Sequence, residues 1–341
     1  MKKCNRIAID LAKNVFQICI VNSSNKVIEA KRLKRRDLSN YMANQLPSRV
    51  IMEACYSSHY WGRELTRLGH AVELIPPQFV KPFLRGNKND RNDALAIAEA
   101  ADRPNITRVP IKTIEQQDIQ SLHRIRDRLV KQRTQLVNQL RGLLSEYGIV
   151  TGLGHKAMCK LLAQLSDSSD SRLTAVMKYQ VNLCRLEHHE LSHRIDESNQ
   201  QMNEIARHNP LCQILMSLPG IGIINATALV ASIGNGSEFR NSRELAVWLG
   251  LTPRQHASGD KSISLGITKR GNRYLRKQLI HGARAAVSRC KKRDDDLSLW
   301  ANRLVARRGM NKACVAYASR LARLAWVLLQ RNETYQPRYS N

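Results

Sequence analysis

No stretch of this sequence approaches the roughly 20 uninterrupted apolar residues that a membrane span requires. The start, Met1-Lys2-Lys3, has the charge of a secretion signal, but Asp10 and Lys13 break the apolar run that would have to follow. No CxxC pair occurs among the eight cysteines, Cys4, Cys19, Cys55, Cys159, Cys184, Cys212, Cys290 and Cys314, which lie scattered in mostly apolar surroundings. That usage argues against a disulfide scaffold and for reduced thiols in the cytoplasm. Internal repeats, low-complexity tracts, zinc-finger spacing and a helix-turn-helix pattern are absent too. Acidic residues are scarce: 28 Asp and Glu face 55 Lys and Arg, for a net charge of +27. The imbalance is steepest from Leu251 to the end, with 20 Lys/Arg against 5 Asp/Glu. Such an excess faces a polyanion, and nucleic acid is the first partner to consider.

What is present is enough for folded domains: 341 residues, 43 % of them hydrophobic. Residues 6–12, 15–21 and 26–33 are short β-rich runs parted by turn residues, and read as a three-stranded antiparallel meander. A helix over 37–46, a strand over 49–54, a helix over 58–69 and a strand over 71–75 follow, up to the break at Pro76-Pro77. The alternation predicts an α/β layer with a mixed sheet, and Asn89 can cap a further helix from Asp90 to about Asp102. From about Glu115 to Tyr147 apolar residues recur at Ile119, Leu122, Ile125, Leu129, Leu136, Leu140 and Leu143, the spacing of a long exposed helix with one seam. A second such run spans about 172–208, and the pair is expected to form an antiparallel coiled-coil arm. Beyond Pro210 the chain reads as a compact, basic, all-α domain. The expected boundaries are 1–112, 113–209, 210–332 and a tail over 333–341.

Four acids stand out against this basic background. Asp10 lies inside the first β run, where a buried carboxylate costs several kcal/mol unless it is paired or holds a cation. Glu53 ends the strand RVIME, and Asp90 and Asp93, three apart, share one helical face. Each has a plain alternative: a surface residue for Glu53, an N-terminal acid favoured by the helix dipole for Asp90, a solvated side chain for Asp93. Together, two acids on strand ends and two on one helical turn form the set that Mg²⁺ requires, and two such ions about 4 Å apart stabilise the attacking and leaving oxygens of phosphoryl transfer.

In IAIDLAK, IMEA and KNDRNDA these four residues resemble the DEDD tetrad of the RuvC-like nuclease fold, and in particular the N-terminal domain of the bacterial insertion-sequence transposases that include the pilin-gene invertase Piv. LPGIGIINATALVASIG, FRNSRELAVWLGLTPRQHASG and LGITKRGNRYLRKQLIHGARAA resemble the C-terminal transposase domain of the same family. The resemblance implies a RuvC/RNase H-like α/β domain that binds Mg²⁺ through Asp10, Glu53, Asp90 and Asp93. It implies a nucleophilic serine at the position of Ser258, DNA as substrate, and a structured bridge RNA as guide. Read from the residues alone, Ser258 before Gly259 fits a turn residue better than a nucleophile, and the resemblance reverses that preference, with Ser262 and Ser264 as weaker candidates. Arg254, His256, Lys261, Lys269, Arg270, Arg273, Arg276 and Lys277 supply cations for a phosphate beside it, whereas Asp260 would repel one. Asp93 and Ser258 are far apart in sequence, so a site composed between subunits of a dimer or tetramer is expected. A nucleoid-associated bacterial protein is the location that fits. The rivals are a nuclease using water, with Ser258 a turn residue, and a non-catalytic nucleic-acid scaffold.

Two further motifs carry weaker chemistry. His189-Glu190-Leu191-Ser192-His193 matches the zinc-peptidase pattern HExxH but lies in a long polar helix with an expected seam at Leu183, Leu186, Leu191 and Ile195. The Gly-rich run 218–234 resembles a helix-hairpin-helix that offers N–H groups to a phosphate, or else is a tight packing turn.

Overall fold

A computed structural model describes residues 6–24, 26–83, 90–103, 106, 108–167, 171–258 and 261–339, without the side chains of 90–91, 166–167, 255–258 and 261–264. It resolves into two compact units: residues up to Glu115 together with Asn235–Leu245, and Gln116–Gly234 together with Ala246 onward.

The first unit is built on a five-stranded sheet. Strands β1 (Arg6–Leu11), β2 (Val15–Val21) and β3 (Val27–Lys34) form an antiparallel meander. After α1 (Leu38–Ala43), β4 (Arg49–Glu53) returns parallel to β1, and after α2 (Ser58–Arg67), β5 (Ala71–Ile75) lies parallel to β4. The strand order is β3-β2-β1-β4-β5. The expected mixed sheet is therefore present, with five strands in the expected sequence. Alternation sorts its two faces. Ile7, Ile9, Val50 and Met52 pack with Leu38, Met42, Trp61 and Leu65 of the two crossover helices. Ala8, Cys19, Val21, Ile51 and Ile75 point the other way, towards α4 (Asp90–Ala101), which follows the short α3 (Pro77–Val80). Ala94, Ala96, Ala98, Ala100 and Ala101 of α4 are all buried, so the helix lies close on the sheet because little side chain separates them.

A polar network fixes the C-terminal end of α4. The Ala101 carbonyl accepts from Arg49 Nη2 at 3.1 Å and Arg108 Nη2 at 2.6 Å, which satisfies a carbonyl that the helix leaves without a partner. Glu73 receives Arg49 at 2.6 Å and Arg108 at 2.8 Å, and Asp102 pairs with Arg6. These ion pairs hold the Glu73 carboxyl below the usual range despite its burial.

In the second unit α5 (Ile114–Ser145), α6 (His155–Asp167) and α7 (Ala175–His208) share a core of Leu129, Leu136, Leu140, Met158, Leu162, Met177, Val181, Leu191 and Ile195. The short α6 lies between the two long helical runs that the sequence pattern indicates, where no helix is expected. The seams also differ from expectation. Ile125 is 46 % exposed, Leu143 45 %, Leu183 42 % and Leu186 52 %. On α7 the buried stripe instead runs Met177, Val181, His188, Leu191, Ile195, Ser198, Met202 and Ala206, a spacing of three, four and seven that includes two polar residues.

Helices α8 (Pro210–Met216) and α9 (Ile223–Ile233) follow, then α10 (Ser242–Trp248), which straddles the boundary between the two units at Leu245. The part expected to be all helix then contains an antiparallel hairpin of β6 (Pro253–Ser258) and β7 (Lys261–Ile267). Its physical basis is the period-two alternation of Ser262-Ile263-Ser264-Leu265, a strand pattern embedded in a basic segment. Helices α11 (Arg273–Val287), α12 (Asp296–Arg308) and α13 (Met310–Arg331) complete the unit. Among the described residues no helix is long and apolar enough to cross a membrane.

Candidate active site

The acids of the first unit are brought together by sheet register. Ile9 pairs with Met52 in the parallel β1–β4 ladder, so the next residues, Asp10 and Glu53, stand side by side at the C-terminal ends of their strands. By alternation both lie on the face of Ala8 and Ile51, the face that α4 covers. Asp93 stands in the first turn of that helix, immediately before buried Ala94. Asp90 starts the same helix; its side chain, and Asn89 with its expected cap, lie outside the described residues.

Charge records the proximity. Burial, and then repulsion from Asp93, push the Glu53 carboxyl above its usual value, with Lys81 opposing. Beside it Cys55, a residue that sequence reasoning passed over, has its thiol pushed up to about 11 by burial and by the charges of Glu53 and Asp10. Its Sγ lies 3.9 Å from the Leu11 carbonyl. A thiol this hard to ionise leaves the carboxylates as the anionic oxygen donors of the cluster. They suit a hard divalent cation, which would reverse the repulsion that raises Glu53.

Ser258 closes the β6 ladder opposite Lys261, and Gly259 and Asp260 between them lie outside the described residues. The side chains of Ser258, His256, Lys261, Ser262 and Ser264 are outside the description, as is all of Asp260. Of the other expected phosphate contacts, Arg254, Lys269, Arg270 and Arg273 are exposed. Lys269 has a left-handed backbone (φ 56°), and its N–H donates to the Gly250 carbonyl at 3.1 Å. Arg276 differs: it is buried, and its Nη1 donates to the carbonyls of Leu249 at 3.0 Å and Arg270 at 3.2 Å. Its charge braces the 249–270 loop instead of facing solvent. Lys277 gives its ammonium to Asp127 of α5, so the acid partner of this basic run comes from another helix.

The two side motifs differ: HExxH lies on an exposed helix face, whereas Gly220, Gly222 and Asn225 of the Gly-rich run line a cleft of about 620 Å³ with Arg126, Gln278 and His281. His189, Glu190 and His193 are exposed on α7, and His193 Nδ1 lies 3.7 Å from Glu197 on the same surface. In the Gly-rich run, Gly220 (φ +103°) packs against Gly282 of α11, whose carbonyl oxygen a Cβ on Gly220 would meet at 2.9 Å. Asn225 Nδ2 donates to the Gly220 carbonyl at 3.1 Å. Gly220 and Gly282 serve close packing here, whereas a Cβ on Gly222 would meet open space.

Residues 212–298 match the sequence family described as "Transposase IS116/IS110/IS902 family". Residues 7–149 match the DEDD-type transposase family of IS110 elements. The transposase for insertion sequence element IS1111A of Coxiella burnetii is 44 % identical, covering 98 % of this chain and 92 % of that protein. A probable family 20 transposase of Pseudomonas aeruginosa is also 44 % identical, over 98 % and 99 %. The pilin gene-inverting protein of Moraxella bovis is 23 % identical over 80 % of each chain.

Proposed function

Because the chain belongs to the IS116/IS110/IS902 family of insertion-sequence transposases, enzymes that cut and rejoin DNA, we propose that it does so by serine transesterification at a Mg²⁺ site built from Asp10, Glu53, Asp90 and Asp93. The observation that supports this reading is the crowding of Asp10, Glu53 and Asp93 at one sheet end, with Glu53 driven above its usual range. Bound there, Mg²⁺ would supply Lewis-acid stabilisation of the oxygens that gain and lose charge at phosphorus.

The chain's own part is as follows. The Ser258 hydroxyl gives up its proton and its Oγ attacks the phosphorus of a phosphodiester. The P–O bond to one DNA hydroxyl breaks, and that hydroxyl leaves with a proton. A phosphoserine link then holds the strand until a hydroxyl of another strand attacks the same phosphorus and releases Ser258. One phosphoester replaces another at each step, so no nucleotide hydrolysis is required. The exposed guanidinium and ammonium groups of Arg254, Lys269, Arg270 and Arg273 favour a phosphate in this part of the chain. The net charge of +27 fits binding of both DNA and a structured bridge RNA that selects the target, within a dimer or tetramer.

The test is strand cutting of labelled element-end DNA by purified protein with RNA transcribed from the element's flanks. Asp10→Asn and Glu53→Gln are expected to lose at least about 100-fold in rate, by analogy with removal of a single transition-state stabiliser, while remaining folded. Undiminished cutting by both variants, or cutting indifferent to chelator, would overturn the metal-site reading. DNA binding without cutting under every condition would favour a scaffold.

A further inference from the structure

Three buried histidines sit in the described parts of the molecule, and two are held in the ordinary way. His70 Nδ1 accepts from the Ser48 N–H at 3.3 Å, and its Nε2 lies 3.1 Å from the Met42 carbonyl. His123 lies 2.9 Å from the Tyr274 hydroxyl and 3.0 Å from that of Thr227. His188 is the exception. Only 4 % exposed, it occupies a core position of the α7 stripe; its Nε2 has no hydrogen-bond partner, and its Nδ1 faces only the Cys159 thiol at 3.9 Å. A buried polar ring so weakly held is uncommon and asks for another partner.

That partner is indicated by what surrounds it. His155 and Cys159, four apart on α6, present their donor atoms to His188 of α7, and all three lie within 4.8 Å of one another. The His155 and His188 rings are stacked, with centroids 6.2 Å apart. In a tetrahedral zinc site with Zn–S of about 2.3 Å and Zn–N of about 2.0–2.1 Å, sulfur and nitrogen stand about 3.5 Å apart. The observed Cys159–His188 separation is within a small rotamer adjustment of that.

We propose that His155, Cys159 and His188 form a binding site for a borderline-soft divalent cation, Zn²⁺ in the first place, that clips α6 to α7. Two imidazoles and a thiolate favour Zn²⁺, Co²⁺ or Ni²⁺ over Mg²⁺, so this site is chemically distinct from the carboxylate cluster. Burial of His188 and partial desolvation of the exposed His155, reinforced by Arg133, hold both imidazoles below the ordinary histidine range, which favours the neutral, ligating form. The Arg133 charge opposes a cation, and the Cys159 thiolate offsets it. Asp196, whose charge acts on His155, is the acid at hand for the fourth position or the outer sphere. The site lies away from the exposed HExxH face: the histidine that matters is His188, one residue before that motif. A metal bond would serve it as hydrogen bonds serve His70 and His123, and would anchor a 13-residue helix too short to be stable alone.

The experiment is optical titration of the chelator-treated full-length protein with Co²⁺. The expected result is one equivalent bound, with a near-ultraviolet thiolate-to-cobalt band and tetrahedral visible bands, all displaced by Zn²⁺. Cys159→Ser should abolish the near-ultraviolet band, and Cys159→Ser and His155→Asn should each weaken Zn²⁺ binding by at least about tenfold. Both residues are exposed, so neither change threatens folding, which circular dichroism verifies. Cys184→Ser, a neighbouring thiol, and Asp10→Asn should keep the band. Absence of stoichiometric binding, or a band that survives Cys159→Ser, overturns the proposal.

Discussion

His123 should make the stability of the second unit depend on pH in a calculable way. It is 3 % exposed and wedged between Tyr274 of α11 and Thr227 of α9, and burial, with Arg126 adding to it, lowers its pKa to about 4 from 6.5. The unfolded chain therefore binds a proton that the folded chain refuses between about pH 6.5 and 4. The contribution is fully present above pH 6.5 and is lost as pH falls, at about 1.4 kcal/mol per pH unit, to a total of about 3 kcal/mol. For a unit of 150–250 residues each kcal/mol moves the melting midpoint by about 2–4 °C, so the full effect is about 6–12 °C. His123→Asn removes the titration while keeping a polar side chain. It should cost stability at pH 7.5, through lost packing and hydrogen bonds, and approach the wild type as pH drops towards 4. Melting curves of both proteins from pH 7.5 to 4.5, compared as differences so that other titrations cancel, provide the assay. A difference that stays constant over that range would refute the reasoning.

Three further outcomes follow from the geometry. Glu53→Gln should raise the melting temperature of the Mg²⁺-free protein at neutral pH, because a carboxyl raised by burial and by Asp93 stabilises only while protonated; the gain should shrink as pH falls, and strand cutting should be lost. Arg276→Ala should cost roughly 1–3 kcal/mol, since it removes a buried hydrogen bond to the Leu249 carbonyl and a part-buried one to the Arg270 carbonyl, whereas exposed Arg273→Ala should change stability by no more than about 0.5 kcal/mol and instead weaken DNA binding and flatten its salt dependence. If sites are composed between subunits, mixing Asp10→Ala protein with Ser258→Ala protein should restore part of the activity that each lacks; recovery of none would show that each chain builds its own site.

The five-stranded sheet was legible in the sequence because β-rich runs, turn residues and helix signals alternate cleanly up to Ile75. The juxtaposition of Asp10 and Glu53 follows from the same strand pattern, and a carboxylate at Asp10, within a run of buried residues, conflicts with its surroundings, which is what singles it out in the sequence. The features that escaped share long-range causes. The α7 stripe was mistaken for one through Leu183 and Leu186 because His188 and Ser198 occupy core positions that a search for leucines skips. The β6–β7 hairpin hid in a basic segment expected to be helical. That Lys277 and Arg276 are engaged within the fold depends on Asp127, 150 residues away from the lysine, and on backbone carbonyls that no local pattern announces. The anchoring of α4 by Arg49 and Arg108 likewise joins residues from separate strands and loops.

The measurement that bears most directly on the central claim is denaturing-gel analysis of labelled element DNA incubated with protein, Mg²⁺ and flank-derived RNA. Serine transesterification predicts a protease-sensitive protein–DNA adduct with the wild type that is absent with Ser258→Ala. Cutting by Ser258→Ala as efficient as by the wild type, with no adduct from either, would contradict it and leave the carboxylates serving a nuclease that uses water.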